Sequence, residues 1–215
     1  MSVLIISALV AISAFLAIRA EYFGPRSKVY LFKPLTVLLI ILIALQTKNP
    51  TPQVYRIAII AGLLFSLAGD IFLMLPSDRF VLGLVSFLIA HLVYIAAFTI
   101  DGARPSYLTA LPLLLYGGIM LRLLFPHLGR MRVPVLIYML VILLMVWQAM
   151  NRWIDTSLTG SALAFAGACL FAASDSALAL NRFRRTFKSA QFLILTTYFA
   201  AQWLIALSAA LHAAP

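Results

Sequence analysis

Two carboxylic acids occupy positions where an ionisable group is rare. Of the six acidic residues, only Asp70 and Asp175 lie inside long apolar runs, each five residues before the end of its run. A charged group at membrane depth costs about 2.5–3.5 kcal/mol on insertion scales, so it normally faces a bundle interior or a wet cavity. Two apposed carboxyls do not both ionise easily, and one protonated plus one ionised member can perform acid–base catalysis. The alternative is two helix-end aspartates that are hydrated or paired with loop arginines.

Other polar side chains lie at similar or greater depth in the apolar runs. Three roles are open for Lys33: its ammonium group extends to the lipid headgroups, offsets the charge of a carboxylate, or binds a lipid phosphate. His91 and Tyr94 are three residues apart and therefore share a helix face, with His91 near the middle of the membrane. Tyr198 and Gln202, four residues apart, either line the same cavity or join helices by hydrogen bonds.

The sequence predicts no cofactor and no bound metal. It contains no phosphate-binding loop, no dinucleotide glycine pattern, no Gly-x-Ser-x-Gly and no His-Glu-x-x-His. The single cysteine, Cys169, excludes an intrachain disulfide and a multi-cysteine metal site. Asp70, Asp175 and His91 lie at unequal depths and are a weak indication of a metal site.

The elements that hold these side chains are predicted to be membrane-spanning helices. The chain is 64% hydrophobic and 10% charged, whereas soluble domains are about 45–50% apolar and about 25% charged. Its mean hydropathy is +1.07. The apolar runs do not alternate as barrel strands do, so an all-α polytopic fold is expected. In a membrane protein, a net charge of +10 reflects Lys and Arg residues in the loops, which set the orientation of the helices. We therefore expect no nucleic-acid partner.

Apolar runs of about 17–25 residues predict eight transmembrane helices in one domain that covers residues 1–215. Turn and charge signals separate the runs, including Asn151-Arg152 between the sixth and the seventh. The predicted helices lie at about 2–18, 29–46, 57–75, 80–99, 107–124, 133–150, 158–180 and 189–211.

An internal repeat relates the two halves of the chain. A shift of 105 residues aligns the third helix with the seventh, so that Asp70 meets Asp175 and Gly62 meets Gly167. The aligned aspartates predict two parallel four-helix units, about 1–105 and 106–215.

The basic residues predict the orientation. The connections after odd-numbered helices, with their helix ends, contain 12 of the 16 Lys and Arg residues, and the other connections contain 4. The positive-inside rule therefore places both termini outside the cytoplasm and the two aspartates toward the cytoplasmic leaflet. We expect the inner (cytoplasmic) membrane of a bacterium.

Several short motifs occur in a characteristic order along most of the chain. They are Lys33-Pro34, Ser66-x-x-Gly69-Asp70, Gly83-x-x-x-Phe87-x-x-x-His91-x-x-Tyr94, Pro134-Val135-x-x-Tyr138, Gly167-x-x-x-Phe171-x-x-Ser174-Asp175, Asn181-x-Phe183 and Tyr198-x-x-x-Gln202. In order and spacing they resemble the YhhN family, which includes the animal lysoplasmalogenases.

The resemblance implies an eight-helix membrane hydrolase that cleaves the vinyl-ether bond of lysoplasmalogen-type lysophospholipids to a fatty aldehyde and a glycerophospho-base. Asp70 and Asp175 would be the catalytic pair. The residues expected to bind substrate or support the pair are Lys33, His91, Tyr94, Tyr138, Asn181, Tyr198 and Gln202. Two alternatives remain: a transporter or lipid-binding protein whose aspartates form a proton or cation site, and a purely structural bundle.

Overall fold

The computed structural model describes residues 2–46 and 52–211. In this part of the chain, eight long helices confirm the predicted all-α fold, and each, with its flanking turns, is long and apolar enough to cross a membrane. They are α1 (Val3–Phe23), α2 (Arg26–Leu45), α3 (Gln53–Met74), α4 (Phe80–Thr99), α5 (Leu111–Leu124), α6 (Arg132–Thr156), α7 (Thr159–Ala179) and α8 (Ala190–Ala210). Short 3₁₀ turns flank α5, and a π-helical turn, Leu180–Arg184, follows α7.

The predicted break at Asn151-Arg152 is wrong, because both residues lie within α6. Arg152 is fully buried, its Nε lies 2.6 Å from Asp101 Oδ2, and its guanidinium lies 4.4 Å from the centre of the Tyr55 ring. A paired and buried arginine does not need a polar loop. The helix ends instead at Ser157, which adopts the left-handed conformation with φ 54°.

Two further acidic residues are helical, although both lie outside the apolar runs from which the helices were predicted. Glu21 and Asp155 belong to the last turns of α1 and α6. Neither is buried, so each helix simply extends past its apolar stretch into the headgroup region. Asp70 and Asp175 remain the acidic residues that lie well inside their helices.

Six helices form a closed ring, and two lie outside it. Around the ring, each helix packs against the next in the order α2, α3, α4, α6, α7, α8 and back to α2. Helix α1 packs on α2 and α8, and α5 packs on α6. If each helix is exchanged for its counterpart four helices away, α2 for α6, α3 for α7 and α4 for α8, the order around the ring is unchanged. The predicted repeat requires this order, but the repeat itself stays a prediction. The ring places α3 and α7 on opposite sides of a shared interior.

The two closest helix pairs of the ring depend on the aligned glycines. A Cβ on Gly62 would lie 2.3 Å from Tyr94 Cε1, where α3 meets α4. A Cβ on Gly167 would lie 2.8 Å from Ile205 Cγ1 and 2.9 Å from the Ala201 carbonyl oxygen, where α7 meets α8. Small residues allow such close contact between membrane helices, where lipid gives little hydrophobic driving force for packing.

Candidate active site

The interior of the ring contains a cavity of about 630 Å³ at the end where α3 and α7 finish and where α2 and α8 begin. Asp70 and Asp175 both line it, together with Lys33 and Tyr198. We call it the polar cavity. The two aspartates therefore reach one shared space from opposite walls of the ring.

Asp70 is held as one partner of an ion pair. The Lys33 Nζ lies 3.0 Å from Asp70 Oδ1, and the Tyr198 hydroxyl donates a hydrogen bond of 2.5 Å to Asp70 Oδ2. The Asp70 side chain is 2% exposed and the Lys33 side chain 11%. Lys33 thus pairs with a carboxylate instead of extending to the headgroups. A buried carboxylate requires such a partner, because desolvation of an isolated charge is costly.

Asp175 has a different set of neighbours. The Tyr138 hydroxyl donates a hydrogen bond to Asp175 Oδ2, and His91 Nε2 lies 4.0 Å from the same oxygen. Within the described residues, no lysine or arginine forms an ion pair with this carboxyl. Its side chain is 15% exposed, so it is more accessible from the polar cavity than Asp70.

Under the predicted repeat, Lys33 and Tyr138 occupy equivalent positions in the two halves of the chain. They are separated by 105 residues, the same shift that relates Asp70 to Asp175. In one half a lysine on α2 contacts the aspartate on α3, and in the other half a tyrosine on α6 contacts the aspartate on α7. At these positions, Asp70 therefore has a cationic partner and Asp175 a neutral one. The 105-residue shift aligns Lys33 with Tyr138 in the sequence as well, but the contact of each with its aspartate was not predicted.

Three of the predicted supporting residues lie behind the polar cavity. His91 is fully buried between the rings of Phe171 and Tyr138, with centroids 4.6 and 5.2 Å away. Neither of its nitrogens has a hydrogen-bond partner among the described residues. The Tyr94 hydroxyl donates a hydrogen bond of 2.8 Å to Gln202 Oε1. The Tyr94–Gln202 hydrogen bond joins α4 to α8, whereas His91 packs against aromatic rings of α6 and α7.

Asn181 lies at the mouth of the polar cavity, in the π-helical turn after α7. Its Oδ1 accepts a hydrogen bond of 3.2 Å from the Phe187 backbone N–H. The side chain therefore shapes the connection between α7 and α8. π-Helical turns commonly occur at functional sites, where they redirect side chains.

Charged residues surround the mouth of the polar cavity, and from the sequence its arginines predicted only the orientation in the membrane. Arg26, Arg79 and Arg182 line the opening together with Glu21 and Asp78. Arg182 Nη2 lies 2.6 Å from Asp78 Oδ2, and this hydrogen bond holds the pKa of the Asp78 carboxyl below its usual range. The arginines provide donors with the geometry that suits a phosphate.

A second, apolar cavity of about 70 Å³ adjoins the polar one. We call it the apolar cleft. It lies among α4, α5, α6 and α7, and Met120, Leu124 and Ile142 are among its lining residues. Asp175 lines both cavities. The carboxyl of Asp175 is therefore located where a wet space meets a hydrophobic one.

Comparison with known proteins identifies the family. A family model described as "YhhN family" matches residues 29–209. The chain belongs to the YhhN family. A relative from Escherichia coli O6:H1, "Uncharacterized membrane protein YhhN", is 32% identical over 198 residues, which are 91% of this chain and 94% of the relative. No solved structure matches the chain.

Other relatives that match the chain are named as enzymes. "Lysoplasmalogenase TMEM86A" from Bos taurus is 37% identical over 163 residues, or 70% of this chain and 64% of that protein. "Lysoplasmalogenase TMEM86B" from Homo sapiens is 37% identical over 149 residues, or 69% and 61%. The chain thus spans less than two thirds of the length of these two animal relatives. The region matched by the YhhN model includes every predicted site residue, from Lys33 to Gln202.

Proposed function

We propose that this YhhN protein hydrolyses the vinyl-ether bond of a lysoplasmalogen-type lysophospholipid, with Asp175 as general acid and Asp70 as general base. The single observation that carries the proposal is the asymmetric environment of two carboxyls in one cavity. A carboxylate beside an ammonium group is stabilised as the ion, whereas a buried carboxyl among neutral groups is stabilised in its protonated form. Asp70 has the Lys33 ammonium beside it, whereas Asp175 has no lysine or arginine partner among the described residues. A tyrosine hydroxyl donates a hydrogen bond to each carboxyl, so the tyrosines do not distinguish the two sites.

The first step delivers a proton to carbon. Asp175 donates its proton to the alkenyl carbon β to the ether oxygen, and the double-bond electrons form the new C–H bond. The α carbon and the ether oxygen then share a positive charge as an oxocarbenium ion. The Asp70 carboxylate, on the opposite wall of the polar cavity, stabilises this cation electrostatically.

The second step adds water. Asp70 takes a proton from a water molecule as the water oxygen bonds to the α carbon, and a hemiacetal forms. When the hemiacetal collapses, its hydroxyl returns a proton to Asp175, and the leaving glycerol oxygen takes the proton from Asp70. The products are a fatty aldehyde and a glycerophospho-base, and both aspartates regain their starting states.

The remaining side chains position these groups and the substrate. Lys33 and Tyr198 hold Asp70 as a carboxylate with both oxygens engaged. Tyr138 occupies Asp175 Oδ2, which leaves Oδ1 to carry the transferred proton. The arginines at the mouth are placed to bind the substrate phosphate, so Lys33 acts on the base and not on the lipid. We therefore expect substitution of Lys33 to lower kcat more than it raises KM.

The polar network opposite the cavity disfavours the transporter alternative. At the far end of the ring, Arg152 is fully buried and bonded to Asp101 and Tyr55. Between that cluster and the polar cavity lie the fully buried side chains of Tyr94 and Gln202. A transport site must open to each side of the membrane in turn, whereas this arrangement favours a cavity that opens at one end.

Aldehyde release from purified protein tests the proposal. The protein in lipid nanodiscs is incubated with a 1-alkenyl lysophospholipid, and with the 1-alkyl and 1-acyl analogues as controls. We expect aldehyde from the alkenyl lipid only, because a saturated ether has no double bond to protonate. If the folded, monodisperse protein releases no aldehyde but binds protons or cations at Asp70 and Asp175, the hydrolase proposal is wrong and the transporter alternative takes its place.

A further inference from the structure

The apolar cleft has the shape of a channel that runs along the helices. On α5 its lining extends from Tyr116 to Leu124, and on α6 from Val135 to Leu143. Each stretch covers eight residue steps, or about 12 Å at about 1.5 Å per residue. The cleft therefore continues along the membrane normal and is not a shallow surface depression.

Helix α5 forms one wall of the cleft. Only Gly117, Met120 and Leu124 of α5 are buried, and they form one stripe along the helix. Leu114 and Leu115 of the same helix are 66% and 67% exposed, facing lipid. Helix α5 lies outside the six-helix ring and packs mainly on α6. The wall on this side is thus the one least constrained by neighbouring helices.

The cleft and the polar cavity are continuous. Five residues line both of them, and they come from α3, α4 and α7: Leu73, Phe80, Phe87, Asp175 and Leu178. One space is bordered by three arginines, a lysine, a glutamate and three aspartates, and the other mainly by leucine, methionine, isoleucine and aromatic side chains. Among the residues that the structure describes, Asp175 is the only acidic residue that lines the cleft, at its junction with the polar cavity.

We propose that the apolar cleft binds the single hydrocarbon chain of a lysophospholipid whose headgroup lies in the polar cavity. The continuity of the two spaces argues for one amphiphilic occupant. Within the described residues, the apolar cleft shares five lining residues with the polar cavity, an arrangement that suits a lipid with a single chain. Only the vinyl-ether part of this proposal rests on the proposed function, because binding of the chain requires no reaction.

Binding of the chain in the apolar cleft also determines where the bond to be cleaved lies relative to Asp175. In a lysophospholipid with an alkenyl ether, the reactive double bond joins the chain to the glycerol. A chain in the cleft and a phosphate at the mouth place that bond at the junction, beside Asp175. Binding energy from the non-reacting chain would then position the reacting carbon, as remote binding energy does in other enzymes.

Photolabelling with a lipid that cannot be hydrolysed tests the proposal. The probe is a saturated 1-alkyl lysophospholipid that carries a diazirine in the middle of its chain, added to the protein in nanodiscs of diacyl phosphatidylcholine. We expect saturable labelling of α5 and α6 peptides that contain Met120 or Ile142. Excess unlabelled 1-alkyl lysophospholipid should abolish this labelling.

Matched tryptophan variants separate the cleft from the lipid-facing surface of the same helix. Ile142→Trp fills the cleft and should reduce the saturable labelling at least about tenfold, because the chain loses its binding space. Leu140→Trp is the control, since Leu140 is 69% exposed to lipid, and its labelling should equal that of wild type. Met120→Trp on α5 repeats the test if Ile142→Trp is not monodisperse by gel filtration.

The outcomes distinguish this proposal from the proposed function. Non-saturable labelling, or equal labelling in Ile142→Trp and Leu140→Trp, overturns the chain site even if aldehyde is released. Competition by added diacyl lipid as strong as that by lysolipid assigns the cleft to ordinary bilayer lipid and also overturns it. Saturable cleft labelling without aldehyde release supports the chain site and refutes the hydrolase.

Discussion

Replacement of Lys33 by methionine should destabilise the protein more than loss of the partner carboxylate does. Methionine keeps most of the volume of the lysine stem but removes the ammonium group that lies 3.0 Å from Asp70 Oδ1. Asp70 is 2% exposed and lies on a helix in the ring, so its short side chain cannot reach the mouth of the polar cavity. The variant therefore leaves a buried carboxylate with the Tyr198 hydroxyl as its remaining side-chain partner.

The expected cost follows from the burial of the pair. Removing one partner of a buried ion pair destabilises a protein by about 3–5 kcal/mol, because the other charge stays desolvated. Asp70→Asn removes the other charge, but the lysine left behind has a long flexible stem and is already 11% exposed. It can extend toward the headgroups, so this variant should lose clearly less. In the double variant neither charge remains, and part of the stability lost in Lys33→Met should return.

Thermal unfolding in detergent measures these differences, with the folded fraction followed by size-exclusion chromatography after heating. We expect Lys33→Met to lower the Tm by on the order of 10 °C, and Asp70→Asn to lower it by less. The Lys33→Met/Asp70→Asn protein should have a Tm above that of Lys33→Met. A Lys33→Met protein as stable as wild type, or a double variant no better than Lys33→Met, would refute the buried ion pair.

Three further predictions address the second carboxyl, the cavity mouth and the orientation. Tyr138→Phe should lower turnover about tenfold with little change in KM, because Asp175 loses the hydrogen bond worth about 1–2 kcal/mol that orients it; an unchanged kcat would contradict this. In NMR titrations, Asp78 should ionise at lower pH than an ordinary aspartate, and Arg182→Gln should return its pKa to the usual range; identical titrations would show that the pair does not persist. Reporter fusions at the C-terminus and in the connection between α7 and α8 should give opposite signals, and a cytoplasmic C-terminus would reverse the orientation.

The sequence was sufficient to predict the helices, because a membrane requires long apolar runs and their number can be counted. It also predicted that Asp70 and Asp175 lie at one depth, and both line the polar cavity. The misplaced break at Arg152 has a physical cause, since a charged residue signals a loop only when it is solvated. Its partner Asp101 is 51 residues away along the chain, and no local pattern encodes that contact.

The partners of the two aspartates required the structure. Lys33 near a helix end has two physically reasonable positions, at the headgroups or against a carboxylate, and the choice depends on which helices are neighbours. The same holds for Tyr138, whose hydroxyl meets Asp175 across the contact between α6 and α7. The apolar cleft arises from the position of α5 outside the ring, which depends on packing between helices and not on the composition of any one of them.

The central claim, that Asp175 is the acid that protonates the alkenyl carbon, is tested most directly by turnover of Asp175→Asn. Asparagine is nearly isosteric with aspartate and accepts the Tyr138 hydrogen bond, but it cannot donate a carboxylic proton. Aldehyde release from a 1-alkenyl lysophospholipid is measured per folded molecule, with folding checked by gel filtration in detergent. We predict a loss of about 10²–10⁴-fold, the usual contribution of a general acid. Turnover near that of wild type in a folded Asp175→Asn protein would contradict the mechanism.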